Sequence, residues 1–165
     1  MKRFRNNGAI GALLDEYEKA IQELQKVTDP LSTEELEHIV DKNTEDHDCI
    51  SIQSILSHVI RAGYNYVVAI RNSLGEQVIY RSTETFETIN QYQSELTKVF
   101  EYNVELFNDY PNIKLEEYDN DKKINVRWGQ QYDVEQLFEH AIVHILRHRR
   151  QIERFKFKIK EENKN

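Results

Sequence analysis

Cysteine is nearly absent, since Cys49 is the only thiol among 165 residues. An internal disulfide and a cysteine-rich zinc ribbon both require several cysteines, so the sequence excludes both. Any bound metal ion must therefore take its ligands from histidine and carboxylate side chains. A chain with one unpaired cysteine also fits a reducing compartment, and we expect a cytoplasmic protein.

Long apolar runs are missing as well. No stretch approaches the roughly 18 apolar residues that a membrane span needs, and no signal-peptide core follows the basic start of the chain. Positive charge is in deficit, because the chain has 22 Lys and Arg residues but 29 Asp and Glu residues, which gives a formal net charge of −7. Nucleic-acid binding requires clustered positive charge. We therefore expect neither a membrane partner nor a nucleic-acid partner.

Glycine and proline are scarce, with five and two copies, so little interrupts regular structure. The 39% apolar content suits one compact domain over residues 1–165. Four long segments place apolar residues at the three- and four-residue spacing of amphipathic helices. The predicted helices run from about Ile10 to before Asp29, from about Cys49 to Ser73, from about Thr83 to Pro111, and from Asp133 to about Lys160.

The connections between these segments are long. A capping-box pattern from Ser32 to Glu35 predicts a short helix over residues 32–39, and a polar loop follows it. Between Pro111 and Tyr132 the residue pattern favours a short hairpin or an ordered loop before the last helix. We predict an all-α fold, a four-helix bundle with long connections.

The last predicted helix carries three histidines, His140, His144 and His148, at intervals of four residues, which is about one turn. A helical projection places His144 and His148 inside the apolar stripe and His140 nearer its edge. Arg147 falls about 60° from His144, where it borders any pocket on that face. On the second long helix, the same projection turns His58 inward.

Three inward imidazoles are costly to bury unless each is hydrogen-bonded or shares a cation. A divalent ion would satisfy all three, with His144 and His148 on one helix and His58 on its neighbour. Three protein ligands leave an open position, as in catalytic metal sites. The alternative is that each is a hydrogen-bonded core residue. We interpret His38 and His47, in the polar connector, as surface residues.

Two motifs resemble those of a known family. The segment from His144 to Gln151, His-Ile-Leu-Arg-His-Arg-Arg-Gln, preceded by Leu-Phe-Glu-His140, resembles the last-helix signature of the DinB/YfiT-like metalloenzymes. The segment Ser-Ile-Gln-Ser-Ile-Leu-Ser-His58-Val-Ile resembles their second-helix motif. The resemblance covers nearly the whole chain, and it implies a DinB-like four-helix bundle.

The resemblance also implies a divalent metal, zinc or nickel, held by His58, His144 and His148. His140 is then a second choice of ligand or an outer partner, and Gln151 is placed to orient an imidazole or a bound water. Many members of the family have histidine where this chain has Arg147. We expect Arg147 to alter what enters the pocket.

The function implied by the resemblance is thiol chemistry, in which a low-molecular-weight thiol is joined to a small electrophilic substrate or promotes an isomerisation. We expect a metal-dependent enzyme, thiol S-transferase-like or hydrolase-like, in which no residue stands out as a separate general base. The resemblance also implies a homodimer. The alternatives are a non-catalytic metal- or small-ligand-binding bundle and a structural helical interaction protein.

Overall fold

Helices dominate the computed structural model, which describes residues 4–164. Its long helices are α1 (Gly8–Thr28), α3 (Ile52–Ser73), α4 (Ile89–Asp109) and α5 (Val134–Glu162). The prediction of an all-α chain with four long helices is confirmed. Residues 1–3 and 165 of the expected domain lie outside the described part of the chain.

Two smaller elements lie in the connections. The short helix α2 (Thr33–Glu37) follows α1, and its capping box between Ser32 and Glu35 is formed as predicted. The strands β1 (Ile124–Asn125) and β2 (Gln131–Tyr132) pair antiparallel directly before α5. The hairpin is therefore present but only two residues long on each side.

Side-chain caps fix where the helices begin. Ser51 caps α3 and Asp133 caps α5, and each accepts a hydrogen bond from the backbone N–H three residues further on. Thr88 does the same for α4. The predicted start of that helix near Thr83 is therefore wrong. Residues 83–87 are instead non-helical and pass beside α3, where Gln53 donates a hydrogen bond to the carbonyl of Phe86 at 3.1 Å.

The long helices pack so that α1 and α3 each contact both α4 and α5. Gly63 allows α3 to approach α4 closely, since a Cβ atom at that position would lie 2.5 Å from Cγ1 of Val99. Buried apolar residues from all four long helices form one core. No helix within residues 4–164 is long and apolar enough to cross a membrane. The contact between α3 and α5 brings the predicted site residues together.

Candidate metal centre

Three histidine side chains converge where α3 meets α5. The Nε2 atom of His144 lies 2.9 Å from Nε2 of His58 and 3.2 Å from Nε2 of His148. One ligand atom from each residue lies within 4.8 Å of the others. Two imidazoles on one tetrahedral ion, with bonds of about 2.0–2.1 Å, would hold their nitrogens about 3.3 Å apart. The spacing of the three rings is therefore close to that of a metal site.

The outer nitrogens of two rings face oxygen acceptors. Nδ1 of His58 lies 2.9 Å from Oδ2 of Asp48, and Nδ1 of His148 lies 3.0 Å from Oε1 of Gln151. Carboxylate and amide oxygens accept hydrogen bonds, so each Nδ1 is favoured as the protonated nitrogen. Each Nε2 then presents its lone pair to the cluster. Such oxygen partners behind the ligands are typical of metal-binding histidines.

Arg61 also approaches His58, with Nη2 at 3.0 Å from Nδ1. The same nitrogen lies 2.6 Å from Oδ2 of Asp48, so the guanidinium donates a hydrogen bond to the carboxylate. Nδ1 of His58 is then free to donate to the same carboxylate. The ion pair with Arg61 is the main cause that keeps the pKa of Asp48 below its ordinary value, against the effect of burial. Asp48 is thus a charged acceptor for His58.

The cluster favours neutral imidazoles. Burial, followed by the charge that His148 would carry, lowers the pKa of His144. Burial lowers the pKa of His148 to about 4, and it lowers that of His58 against the opposing effect of Asp48. Two lone pairs then face Nε2 of His144, whose single ring proton can be donated well to only one of them. The three Nε2 atoms therefore suit coordination of a cation better than hydrogen bonding to one another.

The cluster opens on one side into a cleft of about 880 Å³. His58 and His144 line the cleft, whereas His148 lies behind them and is almost fully buried. A volume of this size accommodates a small-molecule ligand. A second cavity, of about 530 Å³ and lined in part by Ser73 and Tyr110, includes none of the predicted site residues.

His140 stands apart from the three convergent rings. It is half-buried in the wall of the cleft, and its ring stacks on Trp128 with a centroid distance of 5.5 Å. Its ring centroid lies 6.2 Å from that of His144. The structure therefore places His140 beside the cluster, at the edge of the inward face that the sequence predicted.

The remaining predicted residues occupy separate positions. Arg147 is exposed and lines the cleft, and Gln151 contacts His148 as described. His47 is exposed in the connector. His38 is partly exposed and pairs with Glu162 at 2.8 Å. Neither of these two histidines belongs to the cluster.

Sequence reasoning missed Asp48, which it placed in a polar loop. The residue lies in a short 3-10 turn (His47–Cys49) just before α3, and no periodic pattern relates that turn to His58. Arg61 was detectable in principle, because it follows His58 by three residues and so shares its helix face. Cys49 lies near the same region, with Sγ 3.8 Å from Oε1 of Gln151. Burial raises the pKa of this thiol, which keeps it protonated and disfavours it as a ligand.

Neither protein-family models nor curated proteins match the sequence. The likeness to the DinB/YfiT-like metalloenzymes therefore depends on the two histidine-containing motifs.

Proposed function

We propose that the chain is a divalent-metal-dependent enzyme of the DinB/YfiT-like type, a four-helix bundle with His58, His144 and His148 as metal ligands. One observation carries the proposal, namely the convergence of three Nε2 atoms from α3 and α5. Nε2 of His144 lies 2.9 Å from Nε2 of His58 and 3.2 Å from Nε2 of His148. An all-imidazole donor set suits zinc or nickel.

The reaction that the cleft supports best is the transfer of a low-molecular-weight thiol to a small electrophile. When bound, a divalent ion supplies a thiolate at neutral pH by lowering the pKa of a coordinated thiol. Around that position, Asp48 and Gln151 hold two imidazoles in one orientation. Tyr66 and Trp128 line the cleft.

The cleft contains no Asp or Glu among its described lining residues. No carboxylate is therefore placed to act as a general base. A thiol whose pKa is lowered by a bound divalent ion does not need one, so the lining is compatible with thiol transfer.

The second candidate is a non-catalytic metal- or small-ligand-binding bundle. It is favoured by the same lack of a carboxylate in the cleft lining, together with the position of His148 behind the wall of the cleft. In that case the ion would join α3 to α5 and stabilise the fold.

Two further proposals follow from the sequence. A cytoplasmic location suits a reaction that consumes a reduced thiol, and it agrees with the single unpaired cysteine. A homodimer rests on the family resemblance. Light scattering on the eluting peak of a size-exclusion column measures the mass of the particle and tests the dimer directly.

Elemental analysis tests the metal site. Untagged protein, purified without a metal column, should carry about one zinc or nickel ion per chain. The variants His58→Ala, His144→Ala and His148→Ala should lose it, whereas His38→Ala and His47→Ala should keep it. Protein that is metal-free and takes up neither ion on dialysis would contradict the proposal, and so would equal losses in all five variants.

Turnover separates the enzyme from the binding protein. Metal-loaded protein is assayed with several cellular thiols against a haloarene, and consumption of the thiol is followed. Activity that His58→Ala abolishes and His47→Ala preserves would support thiol transfer. Stoichiometric metal without turnover for any thiol would favour the non-catalytic bundle.

A further inference from the structure

Positive charge is concentrated in the cleft beside the histidines. The chain has a formal net charge of −7, yet four arginines and no described acidic residue line this cleft. They are Arg61 on α3, Arg81 in the segment after α3, Arg127 in the turn of the hairpin, and Arg147 on α5. The four residues thus come from four separate parts of the chain.

Most of this charge is not neutralised within the described chain. Arg61 forms an ion pair with Asp48 at 2.6 Å. The other three arginines have no ion pair with any carboxylate in residues 4–164. The guanidinium of Arg81 lies over the ring of Tyr64, which does not line the cleft, at 3.4 Å. That of Arg127 lies 5.3 Å from the centroid of Tyr80 in the cleft wall, and a contact of this kind with an aromatic ring leaves the positive charge in place.

Aromatic rings form another part of the wall. The ring of Tyr66 is 5.8 Å from that of Trp128 in a T-shaped contact, and Trp128 stacks on His140. Nε1 of Trp128 donates a hydrogen bond to Gln130 at 3.0 Å, so the polar edge of the indole is satisfied. Trp128 remains 48% exposed at the tip of the hairpin. Flat apolar surface is thus available close to the arginines.

We propose that this cleft binds a small aromatic carboxylic acid, with its carboxylate at the arginines and its flat body against Tyr66 and Trp128. Guanidinium groups form strong charge-assisted hydrogen bonds with carboxylates, and several of them repel a cationic ligand. The aromatic walls match a flat body. The inference deepens the proposed function, on which its role as substrate rests, because it assigns an acid group to the small molecule that meets the histidines.

Matched probes test the charge preference. Isothermal titration calorimetry compares 2-naphthoate with the neutral 2-naphthamide and with 2-naphthylmethylammonium, in both chelator-treated and zinc-loaded protein. The acid should bind about tenfold more tightly than the amide in both preparations. The acid should also shift the indole N–H signal in the NMR spectrum of the protein. That signal is single, because Trp128 is the only tryptophan in the chain.

Two arginine variants locate the effect. Arg147→Gln should weaken the binding of 2-naphthoate about tenfold and leave that of 2-naphthamide unchanged. Arg150→Gln is the matched control, because Arg150 is exposed on the same helix but does not line the cleft. It should change neither affinity.

Several results would overturn the inference. They are equal binding of acid and amide, no binding of the acid at millimolar concentration, and an equal loss of affinity in Arg150→Gln. The two proposals fail separately. Protein that binds no metal but prefers the acid contradicts only the metal-dependent function, whereas protein that binds metal without that preference contradicts only this inference.

Discussion

At the scale of single residues, the partners of the histidines matter as much as the histidines themselves. A neutral imidazole can bind a cation only through the nitrogen that lacks a proton. Asp48 and Gln151 accept from Nδ1 of His58 and His148, and so favour Nε2 as the free nitrogen in both rings. No comparable partner is seen for Nδ1 of His144 within residues 4–164. His144 is instead held by its burial, at 6% exposure.

Removal of either oxygen partner should weaken metal binding without abolishing it. We expect Asp48→Ala and Gln151→Leu each to lower the affinity for zinc about 10- to 100-fold, because the ligand ring loses its preferred tautomer and orientation. Competition with a chromophoric chelator measures the change. Glu45→Ala, in the same connector and exposed, is the control and should bind like the unaltered protein. Unchanged affinity in both test variants would contradict the assigned roles.

At the scale of secondary-structure elements, close helix contacts fix the distance between the faces that carry the site. The α3 helix approaches α4 at Gly63, and the space that a side chain would need there is already filled by Val99. Such a contact tolerates no additional methyl group without displacement of one helix.

Gly63→Ala should therefore destabilise the fold. A Cβ atom placed 2.5 Å from Cγ1 of Val99 overpacks the interface, and we expect a loss of about 1–3 kcal/mol in the free energy of unfolding. Urea denaturation measures it. Val99→Ala creates room, so the double variant should be more stable than the sum of the two single losses predicts. Strict additivity would show that the two side chains do not compete for space.

The far end of α3 is joined to neighbouring segments by charges. Arg71 pairs with Glu76 at 3.0 Å and with Asp109 at 2.6 Å, and the hydroxyl of Tyr110 donates to Glu76 at 2.6 Å. The hydrogen bond from Tyr110, followed by the contact with Arg71, lowers the pKa of Glu76. This links the end of α3 to the end of α4.

The stability should respond to pH through Glu76. A carboxyl group with a lowered pKa binds fewer protons in the folded chain than in the unfolded chain. The contribution of Glu76 to the free energy of unfolding is complete above the ordinary pKa of about 4.3 and is lost as the pH falls through the lowered pKa. Glu76→Gln should thus be destabilised near pH 7, and its difference from the unaltered protein should shrink below pH 4. A difference that stays constant in urea denaturation from pH 7 to pH 3 would contradict the assignment.

The elements differ in how well the sequence predicts them. The limits of α1 and α5 follow from apolar periodicity and from the residues at their ends, and the inward histidines follow from the same period. The start of α4 was placed too early, because residues 83–87 are non-helical and pass along α3 in contacts between distant parts of the chain. The arginines of the cleft were mostly missed for a similar reason. Arg81 and Arg127 lie in non-helical segments, where no period indicates the direction of a side chain.

At the scale of the whole molecule, the three-histidine cluster joins segments that are far apart in sequence. His58 and His144 are separated by 86 residues, and the packing of α3 on α5 brings them together. In the unfolded chain these histidines are dispersed, so a divalent ion at the proposed site would bind the folded state preferentially. Binding free energy at this site would therefore appear directly as stability of the fold.

Metal removal should accordingly lower the thermal stability of the entire chain. With free zinc at 100 times its dissociation constant, mass action adds about 2.7 kcal/mol to the free energy of unfolding, and this gain disappears on chelation. Differential scanning calorimetry of zinc-loaded and chelator-treated protein measures the shift. His144→Ala should melt at the same temperature with and without zinc, whereas His38→Ala, whose histidine contacts Glu162 away from the cluster, should keep the full shift. A zinc-dependent shift of equal size in His144→Ala would show that the ion stabilises the protein from another site.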